Sequence, residues 1–215
     1  SWAVREAAAK ALAPMDLDAS AGAALLAATG DEDARVRVAV YEALGGRTRG
    51  EAGDALRQAA RDERKDYPRA AAARALGRVK APQAYDVLLD LLHVESHGDV
   101  VRAGALDGLA AYGDPRGAGL ARPYLDYVWG RGGAHRLREA ALRCMLELAP
   151  DDPATHEALI RLLGDPFHRL RVQAANACGT YTVRGAKRHL EHLARHDAFG
   201  QVRQAATRAL ETLSK

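Results

Sequence analysis

The sequence predicts an all-α fold, a right-handed α-solenoid built from short helical hairpins. One pattern, an apolar residue and then an Arg with a further apolar residue seven places after the Arg, occurs seven times. The gaps between successive copies are 32, 32, 33, 36, 33 and 32 residues, and a period held this closely is typical of a repeat array. Aromatic residues make up only 5% of the chain and Ala and Leu supply most of its apolar content, which favours close-packed helices over β-sheets.

Two columns of residues define the repeat. The arginines are Arg5, Arg37, Arg69, Arg102, Arg138, Arg171 and Arg203. The later apolar positions are Leu12, Leu44, Leu76, Leu109, Met145, Cys178 and Leu210. Each copy therefore predicts one amphipathic helix, which we call the inner helix, with a partner helix, the outer helix, before it.

The chain begins with an inner-type helix over residues 2–13, which Pro14 ends. It has no outer partner and no initial Met, so we expect a segment of a longer protein. Six full repeats follow this partial repeat of residues 1–14, and together they form one solenoid over residues 1–215. Their predicted boundaries are 15–46, 47–78, 79–111, 112–148, 149–180 and 181–215.

Glycine and proline mark positions within these repeats. The pair Gly45-Gly46 and the single Gly77 are predicted to close inner helices in the left-handed conformation that Gly adopts readily. Gly104 and Gly108 lie inside an inner helix, where each costs about 1 kcal/mol relative to Ala, so close approach of a neighbouring helix is expected. The prolines also have positional meaning. Pro68 fits a first helical turn, and Pro123 predicts a kink in an outer helix spanning 116–128.

The composition excludes several classes of protein. The net charge is +3, no run of like charges resembles a nucleic-acid-binding tail, and no apolar run is long enough for a membrane span. Cys144 and Cys178 fall on the apolar stripes of inner helices and are predicted to be small buried hydrophobic residues. We expect a cytoplasmic protein without a cofactor.

An acidic column accompanies the arginines. Six residues before the Arg stand Asp31, Glu63, Ser96, Gly132, Asp165 and Asp197, of which four are acidic. An acid in this turn can pair with an Arg along the stack and can also accept hydrogen bonds from turn N–H groups. The pattern predicts a structural ladder of Asp31, Arg37, Arg69, Arg102, Arg138, Asp165, Arg171, Asp197 and Arg203.

The pattern resembles HEAT repeats, in a form shorter than the common period of about 40–47 residues. The runs 66–77 and 98–109, with Asp114-Pro115-Arg116 and Asp165-Pro166-Phe167, also look like the C-terminal HEAT domain of bacterial aminopeptidase-N-type metallopeptidases. That resemblance implies an accessory domain of a zinc aminopeptidase. The zinc motif His-Glu-x-x-His is absent, because Ile160 stands where the second His would follow His156-Glu157. The segment itself is therefore expected to have no catalytic activity.

Three further features leave alternatives open. His189, His192 and His196 share a helical face and His93 and His97 are four residues apart, but a solvated polar face is favoured over a metal site. Tyr124, Tyr127, Trp129, Arg131 and His135 surround the longest connection and are candidate partner-binding residues, with packing as the other interpretation. The third feature is a column on the inner helices with both signs of charge. It holds Lys10, Glu42, Arg74, Asp107, Arg143 and Arg208.

The sequence thus predicts a non-catalytic HEAT-repeat scaffold that binds a protein, either a catalytic domain of the same chain or a separate partner. The alternative is a nucleic-acid-binding solenoid of the HEAT-like type. It would use the basic members of the mixed column on its concave face to contact phosphates.

Overall fold

The structure, a computed structural model, describes residues 1–13, 19–46, 51–126 and 134–214. These residues contain helices and turns and no strand. The helices are α1 Trp2–Leu12, α2 Ala19–Ala27, α3 Ala34–Leu44, α4 Glu51–Asp62, α5 Asp66–Val79, α6 Ala84–Leu91, α7 Val100–Tyr112, α8 Arg116–Ala121, α9 Ala134–Leu148, α10 Pro153–Leu162, α11 His168–Thr180, α12 Lys187–His196 and α13 Gly200–Leu213. The predicted all-α fold class is confirmed.

The chain divides into two compact units, Ser1–Cys144 and Met145–Lys215. In the first unit, the inner helices α1, α3, α5 and α7 pack against one another in order, and the outer helices α2, α4 and α6 each pack on the inner helix that follows. In the second unit, α10 packs on α11, α12 packs on α13, and the inner helices α11 and α13 pack together. Within each unit, neighbouring repeats therefore contact one another, as expected of a helical-repeat array.

The core is built from small and branched aliphatic side chains. Ala70, Ala71, Ala72 and Ala73 of α5 are completely buried, since α5 lies between α3 and α7 as well as against α4. Small side chains allow three neighbouring helices to approach one helix at once. Cys144 and Cys178 are both buried with no exposed surface, which confirms that they pack as small hydrophobic residues.

Gly45 follows the last residue of α3, as predicted, but the predicted left-handed conformation is wrong there, and the predicted closure of α5 at Gly77 is wrong. Gly45 has φ −68° and ψ −13°, so it does not need a left-handed backbone. Gly77 lies inside α5, which ends at Lys80 in the left-handed conformation, with φ 49° and ψ 43°. Both glycines are required by packing: an added Cβ would lie 2.6 Å from the Cβ of Ala75 at Gly45 and 2.0 Å from the carbonyl oxygen of Gly108 at Gly77.

The predicted close approach at Gly104 and Gly108 is confirmed. A Cβ at Gly104 would lie 2.7 Å from the Cβ of Ala70, and one at Gly108 would lie 2.6 Å from the carbonyl oxygen of Ala73. The junction of α5 and α7 therefore depends on residues without side chains on both helices.

The prolines mark a confirmed helix start and a helix that ends early. Pro68 is buried in the first turn of α5, as predicted. The outer helix predicted over 116–128 ends instead at Ala121, and a 3₁₀ turn spans Arg122–Asp126. Because Pro123 has no N–H group, it cannot donate the next hydrogen bond of an α-helix. Residues 127–133 lie outside the described part of the chain.

Candidate functional site

The junction between the second and third repeats is built around one arginine. Arg37 of α3 donates hydrogen bonds from Nε and Nη2 to the two carboxylate oxygens of Glu63, at 2.7 and 3.1 Å. Its Nη1 donates to the carbonyl oxygen of Asp31, at 2.7 Å. The side chains of Arg37 and Glu63 are mostly buried, so this fork-shaped pair fixes the turn of one repeat against the inner helix of the previous one.

The second unit repeats this geometry. Arg171 of α11 donates to the two carboxylate oxygens of Asp197, at 2.7 and 3.0 Å, and to the carbonyl oxygen of Asp165, at 2.7 Å. Arg203 of α13 donates to the carbonyl oxygen of Asp197, at 2.7 Å. Each pairing of Arg171 thus corresponds, atom for atom, to one of Arg37. Arg5 and Asp31 form a more exposed version of the same contact, at 2.6 and 3.0 Å.

The acids of the ladder column also stabilise their own turns. Asp31, Glu63, Asp165 and Asp197 each accept a hydrogen bond from the backbone N–H two residues later, at 2.8 to 2.9 Å. A carboxylate that accepts a hydrogen bond from its own turn and also binds the preceding repeat stabilises both the turn and the stacking of the two repeats. The sequence signal for this arrangement is a 26-residue separation between an Arg and the acid of the next repeat.

Three of the predicted ladder arginines bind backbone carbonyl groups. Arg69 donates to the carbonyl oxygens of Ala60 and Arg61, both at 2.8 Å, because Ser96 stands where the next repeat would supply an acid. Arg102 donates to the carbonyl oxygen of Leu92 and, at 3.1 Å, to the carboxylate of Asp99. Arg138 donates to the carbonyl oxygen of Leu125, at 2.6 Å. The arginine is present in every copy of the repeat, whereas the acid is present in four of six.

The environment of the ladder acids lowers their pKa values. Burial raises the pKa of Glu63, but the hydrogen bonds from Arg37 and from backbone N–H groups outweigh it, and the net pKa lies below its ordinary value. The hydrogen bonds from Arg171 lower the pKa of Asp197, against an opposing effect of burial. Both groups are therefore ionised in the folded protein near neutral pH and serve as fixed anions of the scaffold.

The segment predicted to bind a partner is only partly described. Tyr124 is half-buried, and its hydroxyl donates to the carbonyl oxygen of Leu92, at 3.2 Å, which is a packing contact between repeats. His135 lies exposed at the start of α9. Tyr127, Trp129 and Arg131 lie outside the described residues.

The two acids of the mixed charge column on the inner helices are paired with arginines. Glu42 of α3 accepts hydrogen bonds from Arg74 and Arg78 of α5, and its contact with Arg74 is 2.8 Å. Asp107 of α7 binds Arg143 of α9, also at 2.8 Å. A basic row able to contact phosphates would need unpaired cations, and these arginines are paired.

Sequence reasoning missed a set of exposed aromatic side chains at the N-terminal ends of inner helices, which we call the aromatic edge. In the first unit, Tyr67 is 56% exposed and accepts a hydrogen bond from Arg136, at 3.5 Å, and the guanidinium of Arg35 lies 3.4 Å from the ring centre of Trp2. In the second unit, Phe199 is 46% exposed and stacks on His168, with ring centres 4.3 Å apart. Their signal was their place two to four residues before a repeated Arg.

Two clefts lie at equivalent repeat junctions. One, of about 600 Å³, lies beside Arg37, Tyr41 and Glu63, and the other, of about 460 Å³, lies beside Asp165, Arg171 and His192. Among the described residues, no group of three or more His, Cys, Asp or Glu side chains is arranged to hold a metal ion. In particular, α6 ends at Leu91, so His93 and His97 do not share a helical face. Within the described ranges, no helix has both the length and the apolar character to span a membrane.

Stacked helical hairpins held by repeated arginines define a helical-repeat protein. The family described as HEAT repeats matches residues 1–74, 53–127 and 131–211, and the chain therefore belongs to the HEAT-repeat family. Comparison with curated protein sequences finds no match.

One solved structure shows the same type of fold. This structure is the complex of CpcE and CpcF of phycocyanin lyase from Nostoc sp. PCC7120, with a TM-score of 0.57 and 21% sequence identity, covering 99% of this chain and 86% of that chain. An engineered protein is 20% identical, with a TM-score of 0.37, and covers 98% of this chain and 92% of that chain. At this identity the likeness to the lyase structure concerns the fold.

Proposed function

We propose that this chain is a non-catalytic HEAT-repeat module that binds a protein partner. The observation that carries the proposal is the aromatic edge, where Trp2, Tyr67 and Phe199 remain exposed beside arginine or histidine side chains. Trp, Tyr and Arg are the residue types most enriched at the energetic centres of protein interfaces. The structural likeness to a chain from a complex of two proteins supports the same class of function.

The charge distribution on the inner helices favours a protein over a nucleic acid. Glu42 and Asp107 occupy the column that would otherwise form a basic row, and each is paired with arginine from the next inner helix. Nucleic-acid binding without sequence preference depends on cations that displace counterions from phosphates. Arg74 and Arg143 are already bound by carboxylates of the chain.

The narrower proposal, an accessory domain of a bacterial zinc aminopeptidase, rests on the resemblance of residues 66–77 and 98–109 alone. In that case the partner is a catalytic domain of the same chain. Finding His-Glu-x-x-His upstream in the same gene supports it, and a gene without such a domain overturns it.

A capture experiment tests the proposed function. The tagged protein is isolated from its own host after nuclease treatment, and the bound material is quantified by mass spectrometry. We expect one protein partner in stoichiometric amount, retained without nucleic acid. Tyr67→Ala together with Phe199→Ala should reduce its recovery, while Leu120→Ala, which removes an exposed apolar side chain from the outer helix α8, should not.

Two results contradict the proposal. Recovery of nucleic acid alone, lost on nuclease treatment and weakened by salt, establishes the alternative function. Intrinsic peptidase turnover by the purified chain, retained after removal of contaminants, overturns the non-catalytic assignment.

A further inference from the structure

The second of the two clefts, which we call the α12 cleft, has a lining of unusual chemistry. Arg188, His189 and His192 of α12 lie on one side of it, and Leu163, Pro166 and Leu193 supply apolar surface. Its volume of about 460 Å³ falls in the range of clefts that bind side chains or small ligands. It therefore combines an apolar space with a basic rim.

The last repeat also concentrates the positive charge of the chain. Residues 181–215 contain seven Lys and Arg against three Asp and Glu, a net charge of +4, whereas the whole chain carries +3. Residues 1–180 therefore carry a net charge of −1. The basic character of this protein is located in the repeat that forms the α12 cleft.

The cations of α12 have no partner within the described part of the chain. Lys187, Arg188 and Arg195 are exposed and form no ion pair or side-chain hydrogen bond there, whereas Arg171 beneath them is bound by Asp197. Lys187 and Arg188 also lie in the first turn of α12, where the helix dipole disfavours positive charge. No ion pair among the described residues occupies these cations, so they are available to an anionic group.

The equivalent cleft of the first unit shows that this chemistry is not a general property of the repeat. In the cleft of the first unit, Gln58 takes the place of His192 and Ala55 takes the place of His189. The helix α4 contributes Asp62 to that cleft and has Asp54 where α12 has Arg188. The same backbone arrangement thus presents a basic rim in one unit and a mixed rim in the other.

We propose that the α12 cleft binds an acidic peptide segment of a protein partner, with carboxylates on Arg188 and the histidines of its lining, the neighbouring Lys187 adding positive charge, and one apolar side chain in the cleft. This inference rests on the proposed function. Carboxylates form strong charge-assisted hydrogen bonds with arginine, and Leu163, Pro166 and Leu193 exclude water from an aliphatic side chain. A single-stranded nucleic acid fits less well, because the described lining holds no Phe, Tyr or Trp ring to stack on bases and its apolar side chains suit an aliphatic group.

Fluorescence anisotropy with labelled peptides tests the proposal on the full chain. The probe is Glu-Asp-Glu-Leu-Glu-Asp, with a version carrying Ser in place of Leu and an oligothymidylate of equal charge as comparisons. We expect the Leu peptide to bind more tightly than both. Lys187→Glu combined with Arg188→Glu should weaken it by about tenfold or more, because charge reversal replaces attraction by repulsion.

Matched variants separate the cleft from the overall charge. Arg64→Glu with Lys65→Glu makes the same charge change at the rim of the cleft in the first unit and should alter binding by less than about twofold. Gly164→Leu fills the α12 cleft without changing charge, and a Cβ there would meet only the carbonyl oxygen of Arg161, at 3.5 Å. This variant should abolish the preference for Leu over Ser, and unchanged melting temperatures show that all variants remain folded.

Absence of peptide binding, equal effects of the two charge-reversal variants, or tighter binding of the oligothymidylate overturns the inference. The capture experiment described above distinguishes this failure from that of the proposed function. If Lys187→Glu with Arg188→Glu retains the partner in full amount, the protein-binding function stands and the α12 cleft is not its site. If even the wild-type chain captures no protein, the proposed function fails and the inference fails with it.

Discussion

Arg37 and Glu63 are 26 residues apart in sequence and form a two-pronged ion pair, with N–O distances of 2.7 and 3.1 Å. The same atoms of Arg171 and Asp197 meet at 2.7 and 3.0 Å in the second unit. In both cases the acid also accepts a hydrogen bond from a backbone N–H in its own turn. The pair therefore stabilises both the turn that contains the acid and the packing of two neighbouring repeats.

Removal of Arg37 should destabilise the protein. Arg37→Ala leaves the mostly buried carboxylate of Glu63 without its main partner, and we expect a loss of about 2 kcal/mol in the free energy of unfolding. Urea denaturation followed by circular dichroism measures this loss. Arg37→Lys should recover only part of it, because an ammonium group cannot form the two parallel hydrogen bonds.

The more exposed pair of Arg5 and Asp31 provides the control for this prediction. Arg5 is 41% exposed, so Arg5→Ala should destabilise the protein less than Arg37→Ala does. Equal losses for the two variants would show that burial of the pair is not what makes it stabilising.

The contact between Gly77 of α5 and Gly108 of α7 should be intolerant of a methyl group. Gly77→Ala places a Cβ 2.0 Å from the carbonyl oxygen of Gly108, so the two helices must separate. We expect a destabilisation of about 2 to 3 kcal/mol, although Ala has the higher helix propensity. Thermal and urea unfolding both measure this change.

Gly119→Ala is the matched control, since Gly119 is exposed in α8 and an added Cβ meets nothing within 4 Å. It should stabilise the protein by about 0.5 kcal/mol, through a smaller entropy of the unfolded chain. A stabilising effect at both glycines would contradict the close approach of α5 and α7.

The two thiols should be unreactive in the folded protein. Burial raises the pKa values of Cys144 and Cys178 to about 12, and neither side chain has exposed surface. The thiolate is the reactive form, so a thiol reagent should modify neither residue in the native state and both in urea. Rapid modification of either native thiol, measured with Ellman's reagent, would show that its inner helix opens readily.

Stability should fall in acid because the ladder acids have lowered pKa values in the folded state. A carboxylate whose folded pKa lies below its unfolded value contributes stability above the unfolded value and loses it as pH falls through the folded value. The loss should begin near pH 4.5, the ordinary value for Glu63, and continue below pH 3.8, the ordinary value for Asp197. Melting temperatures measured across this range test the prediction.

Glu63→Gln combined with Asp197→Asn serves as the comparison for the acid transition. The variant is expected to be less stable at neutral pH and to lose less stability than the wild type on acidification. An acid transition identical to that of the wild type would mean that other carboxylates are responsible.

The sequence was informative where the signal is local or periodic. The seven arginines predicted the inner helices, and Pro68 and Gly104 were interpreted correctly because a helix start and a tight helix contact restrict the residue type. The left-handed conformation predicted at Gly45 and the helix end predicted at Gly77 were wrong, because a glycine near a helix end satisfies either a left-handed backbone or a close neighbour. Only the packing of α5 against α3 and α7 shows that both serve the second purpose.

The candidate sites depended more on tertiary structure. The repeat period placed Arg37, Glu63 and Arg69 in their columns. It did not predict that the guanidinium of Arg69 binds carbonyl oxygens of its own repeat, because the next repeat supplies no acid. Tyr67 and Phe199 lie two and four residues before a repeated Arg, but their exposure depends on what neighbouring repeats leave uncovered.

The sequence by itself determined the all-α repeat architecture, the positions of its inner helices and the family to which the chain belongs. These properties follow from a helical period and a repeat length that are written along the chain. Tertiary structure decided which charges are neutralised and which remain available. Glu42 and Arg74 are 32 residues apart and are paired only because stacking brings their helices together, while Arg188 has no such partner among the described residues.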